Sequence, residues 1–381
     1  MKKILIIGPI SDFGGREVEA NFIAKTFAQK YVVSIFSTVY CTSKSYAFYN
    51  SNIPWSSLQI ELQKKYFLLR IICFFVKLVR SGKMNNYGYV KNKISKVVYN
   101  FQKISIVALE YEISKSDLVF VCGQISSEFL PEIISICEQK SIPCVVRTTG
   151  TIGEISSAKL QIVSKATCFV HHSVSNAMNL YNQKKHFYTI IDQTCNFENK
   201  LLLGANSFAK PLKFGYLGRL SSEKGIVELT TFFASTSYVF YIAGSGTDDS
   251  KIQTLIQNTN NCFFEGKIAS DDINLFFSKI DVLIIPSFEE TGPLVGLEAM
   301  AAGKIIISTK VGAMPERLNG LKSFWFDSTD LQTLQNQIDA VNGCTASEIA
   351  DISISYRNRY IQNYSNSILE NKYLNLISQY L

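Results

Sequence analysis

The chain has 381 residues, 47% of them apolar and 18% charged, with a formal net charge of +7 and nine cysteines. That composition excludes a disordered or fibrous protein, and the length exceeds one ordinary core, so two domains of roughly 150 to 200 residues are expected. No stretch reaches the roughly 18 uninterrupted apolar residues of a membrane-spanning helix. An odd cysteine count without a CxxC pair suits buried thiols in a reducing compartment, so a cytoplasmic location is expected.

The chain opens on MKKILIIGPISDFGG, where four apolar residues are followed at once by Pro9, Asp12 and Gly14. This reads as a first β-strand and a glycine turn, too short for a signal peptide. A helix-like segment and the apolar run VVSIFS (32 to 37) come next. Residues 62 to 109 then hold ten Lys or Arg and no Asp or Glu, so the positive excess of the whole chain is regional. Within it, QKKYFLLRIICFFVKLVRSGK (63 to 83) reads as a cationic amphipathic helix. Arg70, Lys77 and Arg80 share one face, and Phe67, Leu68, Ile71, Ile72, Phe75, Val76, Leu78 and Val79 fill much of the rest. The pattern fits a helix lying on an anionic membrane surface, with a solvated basic stripe as the plain alternative.

Further buried-strand patterns follow at LVFVC (118 to 122), CVVRT (144 to 148) and CFVHH (168 to 172). After a polar stretch near 192 to 212 the rhythm restarts with FGYLG (214 to 218), YVFYIAG (238 to 244), CFFEG (262 to 266), DVLIIPS (281 to 287), KIIIST (304 to 309) and SFWF (323 to 326). Alternation with helix-like segments predicts an α/β protein of two doubly wound, Rossmann-like domains, 1–195 and 196–360. A terminal helical piece, 361–381, is expected to return to the first domain. In such sheets ligands sit beyond the carboxyl ends of the strands, so facing sheets predict a cleft.

The chemistry concentrates in the second half. In FGYLGRLSSEKG, Gly218 ends a strand and Arg219 and Lys224 follow it, two cations suited to a diphosphate. YIAGSGTDD, with Gly244 and Gly246, permits close backbone approach, and FFEGKI contributes Gly266, Lys267 and Ile268. In SFEETGPLVGLEAMAAG (287 to 303), Glu290 and Glu298 lie eight positions apart. On one helix they would be about 12 Å apart and roughly 80° around the axis. Gly292 and Pro293 instead predict a helix starting at Pro293, with Glu290 in the preceding loop and Glu298 a turn or so inside. The helix start, with Leu294 and Val295 in its first turn, favours a phosphate. Glu298, among apolar neighbours, needs a hydrogen-bonding partner such as a vicinal diol or a core arginine.

These segments, with VGAMPER, resemble in order and spacing the C-terminal half of GT-B glycosyltransferases of the large retaining group marked by an E-x7-E motif, the group 1 or family-four-like glycosyltransferases. The match runs over about residues 213 to 327, and the N-terminal half agrees more loosely. The resemblance implies the GT-B fold, with two domains facing across a cleft. It also implies that Arg219 and Lys224 hold the donor diphosphate, that Glu290 positions the donor sugar and that Glu298 binds the ribose. Backbone at Gly266 to Ile268 would meet the base, and backbone at Gly14 and Gly15 the phosphates or the acceptor. No metal or other cofactor is implied, in keeping with the lack of a DxD. Pro293 departs from the more usual Gly-Phe-Gly loop. Members often carry a histidine after a middle strand, where this chain has RTTGT (147 to 151); Arg147, Thr148 and Thr149 are candidates to replace it, and His172 reads as a strand-end residue.

The expected reaction is retaining transfer from a nucleotide sugar to a saccharide acceptor, lipid-linked, in bacterial polysaccharide or glycolipid synthesis. The basic segment 63–103 would place the protein peripherally on the inner face of the cell membrane. No nucleic-acid-binding motif accompanies the basic segment. The alternatives are a GT-B-fold nucleotide-sugar epimerase and a non-catalytic membrane-associated protein of that fold. GPISDFGG lacks the GxGxxG spacing of a dinucleotide-binding turn.

Overall fold

The computed structural model describes residues 1–79, 86–204 and 208–381. Its thirteen strands form two wholly parallel sheets. In the first, β1 (Lys3–Gly8), β2 (Val32–Ser37), β3 (Trp55–Ser57), β4 (Leu118–Gly123), β5 (Cys144–Thr148), β6 (Cys168–His171) and β7 (Tyr188–Ile190) adopt the order β3-β2-β1-β4-β5-β6-β7. In the second, β8 (Phe214–Arg219), β9 (Phe240–Ser245), β10 (Cys262–Gly266), β11 (Val282–Ile285), β12 (Ile305–Ser308) and β13 (Phe324–Trp325) adopt the order β10-β9-β8-β11-β12-β13. Both are doubly wound, and the second reverses its strand order between β8 and β11. A parallel sheet covered by helices on both faces buries every side chain of its central strands. This is why β4, β5, β11 and β12 are apolar runs, apart from the polar ends of β5 and β12, and each is buried end to end.

The chain divides into two compact units. One comprises residues 1–171, 177–191 and 370–381, the other 172–176 and 192–369. The division falls at Ile191/Asp192 because the Asp192 carboxylate is bound by Arg317, a residue of the second unit. At the other end, the ring of Tyr373 packs edge-on against Phe27 and Phe120 of the first unit, 6.2 and 6.0 Å away. The closing residues 370–381 thereby complete the first unit's core.

The segment expected as one amphipathic helix over 63 to 83 is broken. One helix, Leu58–Lys65, ends at Tyr66, whose backbone is extended, and a second runs Phe67–Val79. Arg80 and Lys83 lie outside the described residues. The second helix buries only Leu69 and Cys73, while Phe67, Leu68, Phe74, Phe75, Leu78 and Val79 are exposed. No helix of the described residues is long and apolar enough to cross a membrane. Of the nine cysteines, all unpaired, eight are buried; Cys41, Cys122, Cys144 and Cys195 are all pushed above the usual thiol range, three of them by burial first and Cys144 by its hydrogen bond with Cys137 first.

Candidate functional site

The carboxyl ends of β8 and β11 flank the point where the second sheet reverses its order, the position at which open α/β sheets bind ligands. Four of the residues singled out by their types follow these two strands. Arg219 closes β8 and is 72% exposed, with Glu223 3.8 Å away as a loose ion partner. Its backbone is held by the Tyr216 hydroxyl, which donates to the Arg219 carbonyl at 2.7 Å.

Lys224 ends a single helical turn, Ser222–Lys224, and Gly225 then takes a left-handed φ of 64° to start the helix Ile226–Ala234. A side chain at Gly225 would lie 2.5 Å from the Pro286 carbonyl oxygen, so glycine here lets the β8 loop press against the end of β11. The amide of Phe288 donates to the Glu223 carbonyl at 3.1 Å, joining the same two loops. Across this junction Lys224 Nζ donates to Glu290 Oε1 in a partly buried ion pair.

The helix after β11 runs Leu294–Ala302 and has Pro293 as its N-cap. The expected first-turn proline is therefore one position outside the helix: its ψ of 116° is extended, and Leu294 is the first helical residue. Pro293 offers no side-chain cap, and the Gly296 amide donates to the Pro293 carbonyl at 3.0 Å, so the amides of Leu294 and Val295 remain for a ligand or water. Leu294 and Val295 are partly buried and pack on the second unit's core. Glu298, fifth in the helix, is 6% exposed. Burial alone pushes its carboxyl up to about 8. Among the described residues it makes no hydrogen bond or ion pair, so the core-arginine alternative does not hold.

The arginine that would have served is Arg317, and it is engaged elsewhere. Fully buried, it donates from Nε and Nη2 to the two oxygens of Asp192, at 2.8 and 2.7 Å, and from Nη1 to the Pro293 carbonyl at 2.6 Å. It thereby pins the Thr291-Gly292-Pro293 turn. A side chain on Gly292 would meet Arg317 Nη2 at 3.1 Å, and one on Gly312, at φ 50°, would meet the Thr291 carbonyl oxygen at 2.4 Å. The adjacent Glu316 accepts from the amides of Val174 and Ser175 at 2.9 and 3.0 Å. Sequence reading took VGAMPER only as part of a resemblance. Arg317 closes the short helix Met314–Arg317 beside Glu316, where nothing local marks it, and its partner lies 125 positions away.

The glycines serve two purposes. Gly218 and Gly244 face each other in the β8–β9 register, and a Cβ on Gly244, at φ 142°, would fall 1.8 Å from the Gly218 carbonyl oxygen. Gly246 likewise abuts the Leu220 carbonyl. Gly266 ends β10 at φ 66° beside a β-bulge with open space around it; Lys267 is exposed and Ile268 packs against the core.

In the first unit Gly14 is the N-cap of the helix Gly15–Ala28, at φ 149°, and Gly15 is exposed. The turn closes around Glu17, whose carboxylate accepts from the Ser11 amide and hydroxyl at 2.7 and 2.8 Å. The expectation for Arg147 fails. It is fully buried and its guanidinium is consumed by Glu19 and by the Ile191 carbonyl, because an unpaired arginine inside a sheet would be far costlier than an unused one. Thr148 is also buried and hydrogen-bonds His171 Nδ1 at 2.9 Å, and Thr149 accepts from Arg16 at 3.0 Å. Burial holds His171 down to about 3, hence neutral. His172, expected as a strand-end residue, lies one position beyond β6 and is buried.

Residues 204–354 match the family model described as Glycosyl transferases group 1. Among curated proteins, an uncharacterized glycosyltransferase of Methanocaldococcus jannaschii is 25% identical over 186 residues, 46% of this chain and 51% of that protein. A capsular polysaccharide biosynthesis glycosyltransferase of Staphylococcus aureus is 30% identical over 136 residues, 33% of this chain and 35% of that protein. The chain thus matches about half or less of these relatives' length. Among solved structures, HepE from Anabaena in complex with UDP superposes with a TM-score of 0.74 at 15% identity, over the whole of both chains. The fold is that of GT-B glycosyltransferases.

Proposed function

We propose that this chain, whose second unit carries the group 1 match, transfers a sugar from a nucleotide-sugar donor to a saccharide acceptor with retention of configuration at the sugar. The observation that carries the reading is the convergence of Arg219, Lys224 and Glu290 on the two strands flanking the sheet's switch point, followed by the unpaired Glu298. Complexes of HepE with UDP and with UDP-glucose support a nucleoside diphosphate sugar as the ligand class.

In this reading the bond from sugar to diphosphate breaks as negative charge grows on the leaving nucleotide. Arg219, Lys224 and the uncapped start of the helix Leu294–Ala302 meet that charge, and no metal ion takes part. Arg219 is free to swing because it is exposed. Lys224 begins in contact with Glu290, so the arriving diphosphate competes for its ammonium. Glu290 is then released to accept from the sugar's hydroxyls. Glu298 accepts from the two ribose hydroxyls, which replaces the water it lost on burial.

The basic and exposed apolar residues described within 63–103 support a membrane-bound setting and a lipid-linked acceptor. The capsular polysaccharide relative supports a role in surface polysaccharide synthesis. A thermal-shift screen of nucleotide sugars tests the core of the proposal. One class of nucleotide sugar is expected to raise the melting temperature, since a ligand of the native state stabilises it. Anomeric configuration of the product, read by NMR, tests retention. No shift with any nucleotide or nucleotide sugar overturns the reading.

A further inference from the structure

The exposed apolar residues of the helix Phe67–Val79 do not form a plain stripe. Together with the short helix Lys93–Val98 they enclose a groove of about 410 Å³, walled by Ile72, Phe75, Val76 and Val79 on one side and by Ile94 and the stem of Lys93 on the other. That volume lies within the usual range for a site that takes a small ligand or one hydrocarbon chain. The walls are apolar yet poorly covered: Val79 is 86% exposed and Phe75 and Ile94 more than half so. Val97, on the next turn, is also 86% exposed. A soluble protein rarely leaves so much contiguous apolar surface open without an occupant.

The surrounding charge says what the occupant carries. Lys93 lines the groove and Lys96 stands one turn on. Neither has an acidic partner among the described residues, whereas Lys64 and Lys91 of the same basic region are paired with Glu61 and Glu128. Unpaired cations above an apolar slot match an amphiphile with an anionic head and a hydrocarbon tail. Neither a nucleic acid, which offers no chain for the slot, nor a neutral apolar peptide, which offers no charge for the lysines, fits both features.

We infer that this groove seats one acyl chain of an anionic membrane phospholipid, with the lipid phosphate held by Lys93 and Lys96. The inference rests on the membrane-bound setting proposed above and sharpens it. The protein does not merely lie on the surface by charge; it withdraws a lipid chain into a built slot.

The test uses the full chain and sedimentation with phosphatidylcholine vesicles, with and without phosphatidylglycerol. Binding is expected only with phosphatidylglycerol, and native mass spectrometry of protein released from those vesicles is expected to show one retained phospholipid. Val79→Glu and Ile94→Glu, both exposed groove residues whose replacement leaves the core intact, are expected to weaken vesicle binding by roughly tenfold, the scale of about two buried methylenes, and to abolish lipid retention. Leu68→Glu, a half-exposed apolar position of the same helix that does not line the groove, is expected to weaken binding far less. If Leu68→Glu costs as much as Val79→Glu and no lipid is retained, the helix inserts as an undivided face and the groove proposal falls while the membrane setting stands. Failure of the parent chain to bind phosphatidylglycerol vesicles overturns both.

Discussion

Lys224 and Glu290 are joined by an ion pair that spans the loops after β8 and β11, 66 positions apart in the chain. The pair stands at the sheet's reversal point, so it closes the space in which a diphosphate would lie. Each partner is about one-fifth exposed, so the pair lies between exposed pairs, worth up to about 1 kcal/mol, and fully buried ones, whose breaking costs about 3–5 kcal/mol. In the proposed reaction its value is in catalysis. Lys224→Ala or Glu290→Ala is expected to lower turnover at least about 10²-fold, on the scale of one charge-stabilising group. The urea midpoint should move less than it does on breaking the fully buried Arg317–Asp192 pair. Turnover measured with the donor found in the ligand screen checks this, and sugar transfer at the parent rate by either variant removes these residues from the mechanism.

Glu298 yields a pH prediction. Its carboxyl stands at about 8 in the folded chain against an ordinary 4.5, so between those values the folded chain holds a proton that the unfolded chain has released. Its contribution is therefore fully present below pH 4.5 and is lost as pH rises toward 8. Glu298→Gln should flatten that part of the stability profile while weakening nucleotide binding. In the parent chain, a diol that hydrogen-bonds the ionised carboxylate lowers its pKa again. Nucleotide binding near pH 7 should then release protons, as titration calorimetry in buffers of different ionisation enthalpy would read, and Glu298→Gln should abolish the release.

The Arg317–Asp192 pair is the opposite case to Lys224–Glu290. It is buried throughout, and removing one partner strands a charge in the core. Asp192→Ala is expected to cost about 3–5 kcal/mol, seen as a fall in the urea midpoint of the second unit. The turn at Gly292 should loosen with it, so donor affinity should drop even at temperatures where the variant remains folded.

Two glycines separate a packing role from a conformational one. Gly244→Ala places a methyl 1.8 Å from the Gly218 carbonyl and should force β8 and β9 apart just where Arg219 leaves the sheet. Gly266→Ala meets nothing within 4 Å and faces only its left-handed φ of 66°, a cost of about 1–2 kcal/mol. Thermal unfolding of the two variants should rank them in that order, with Gly244→Ala losing nucleotide binding as well.

Most strands are legible in the sequence because burial on both faces leaves no polar interruption. LVFVC falls within β4, and DVLIIPS and KIIIST contain β11 and β12. Trp55–Ser57 and Tyr188–Ile190 are not legible. Each has three residues at a sheet edge with one neighbouring strand, too short for a period and too exposed for an apolar run. The break at Tyr66 is hidden for a related reason: apolar and basic residues continue across it at helical spacing, and nothing like Gly or Pro marks the stop.

The site divides in the same manner. Arg219, Lys224, Glu290 and Glu298 stand out because each is a charge placed against the local apolar pattern at a strand end or in a helix. Their mutual arrangement follows from strand order, which local spacing does not contain. Arg147 has the same local signature and a different fate, because Glu19, 128 positions earlier, neutralises it in the core. A charge at a strand end therefore marks either a ligand or a distant partner, and only the three-dimensional pairing tells them apart.

The seat of Tyr373 against Phe27 and Phe120 has a temporal side. During synthesis the ribosome releases residues 1–191 long before it makes residues 370–381, which belong to the same unit. At the usual ~5–20 residues per second, the rings of Phe27 and Phe120 wait at least several seconds for their last neighbour, while the entire second unit is being made. A chain stopped short of Tyr373 would carry a complete group 1 segment beside an unfinished first core, a form that chaperones and proteases would meet as nascent rather than native.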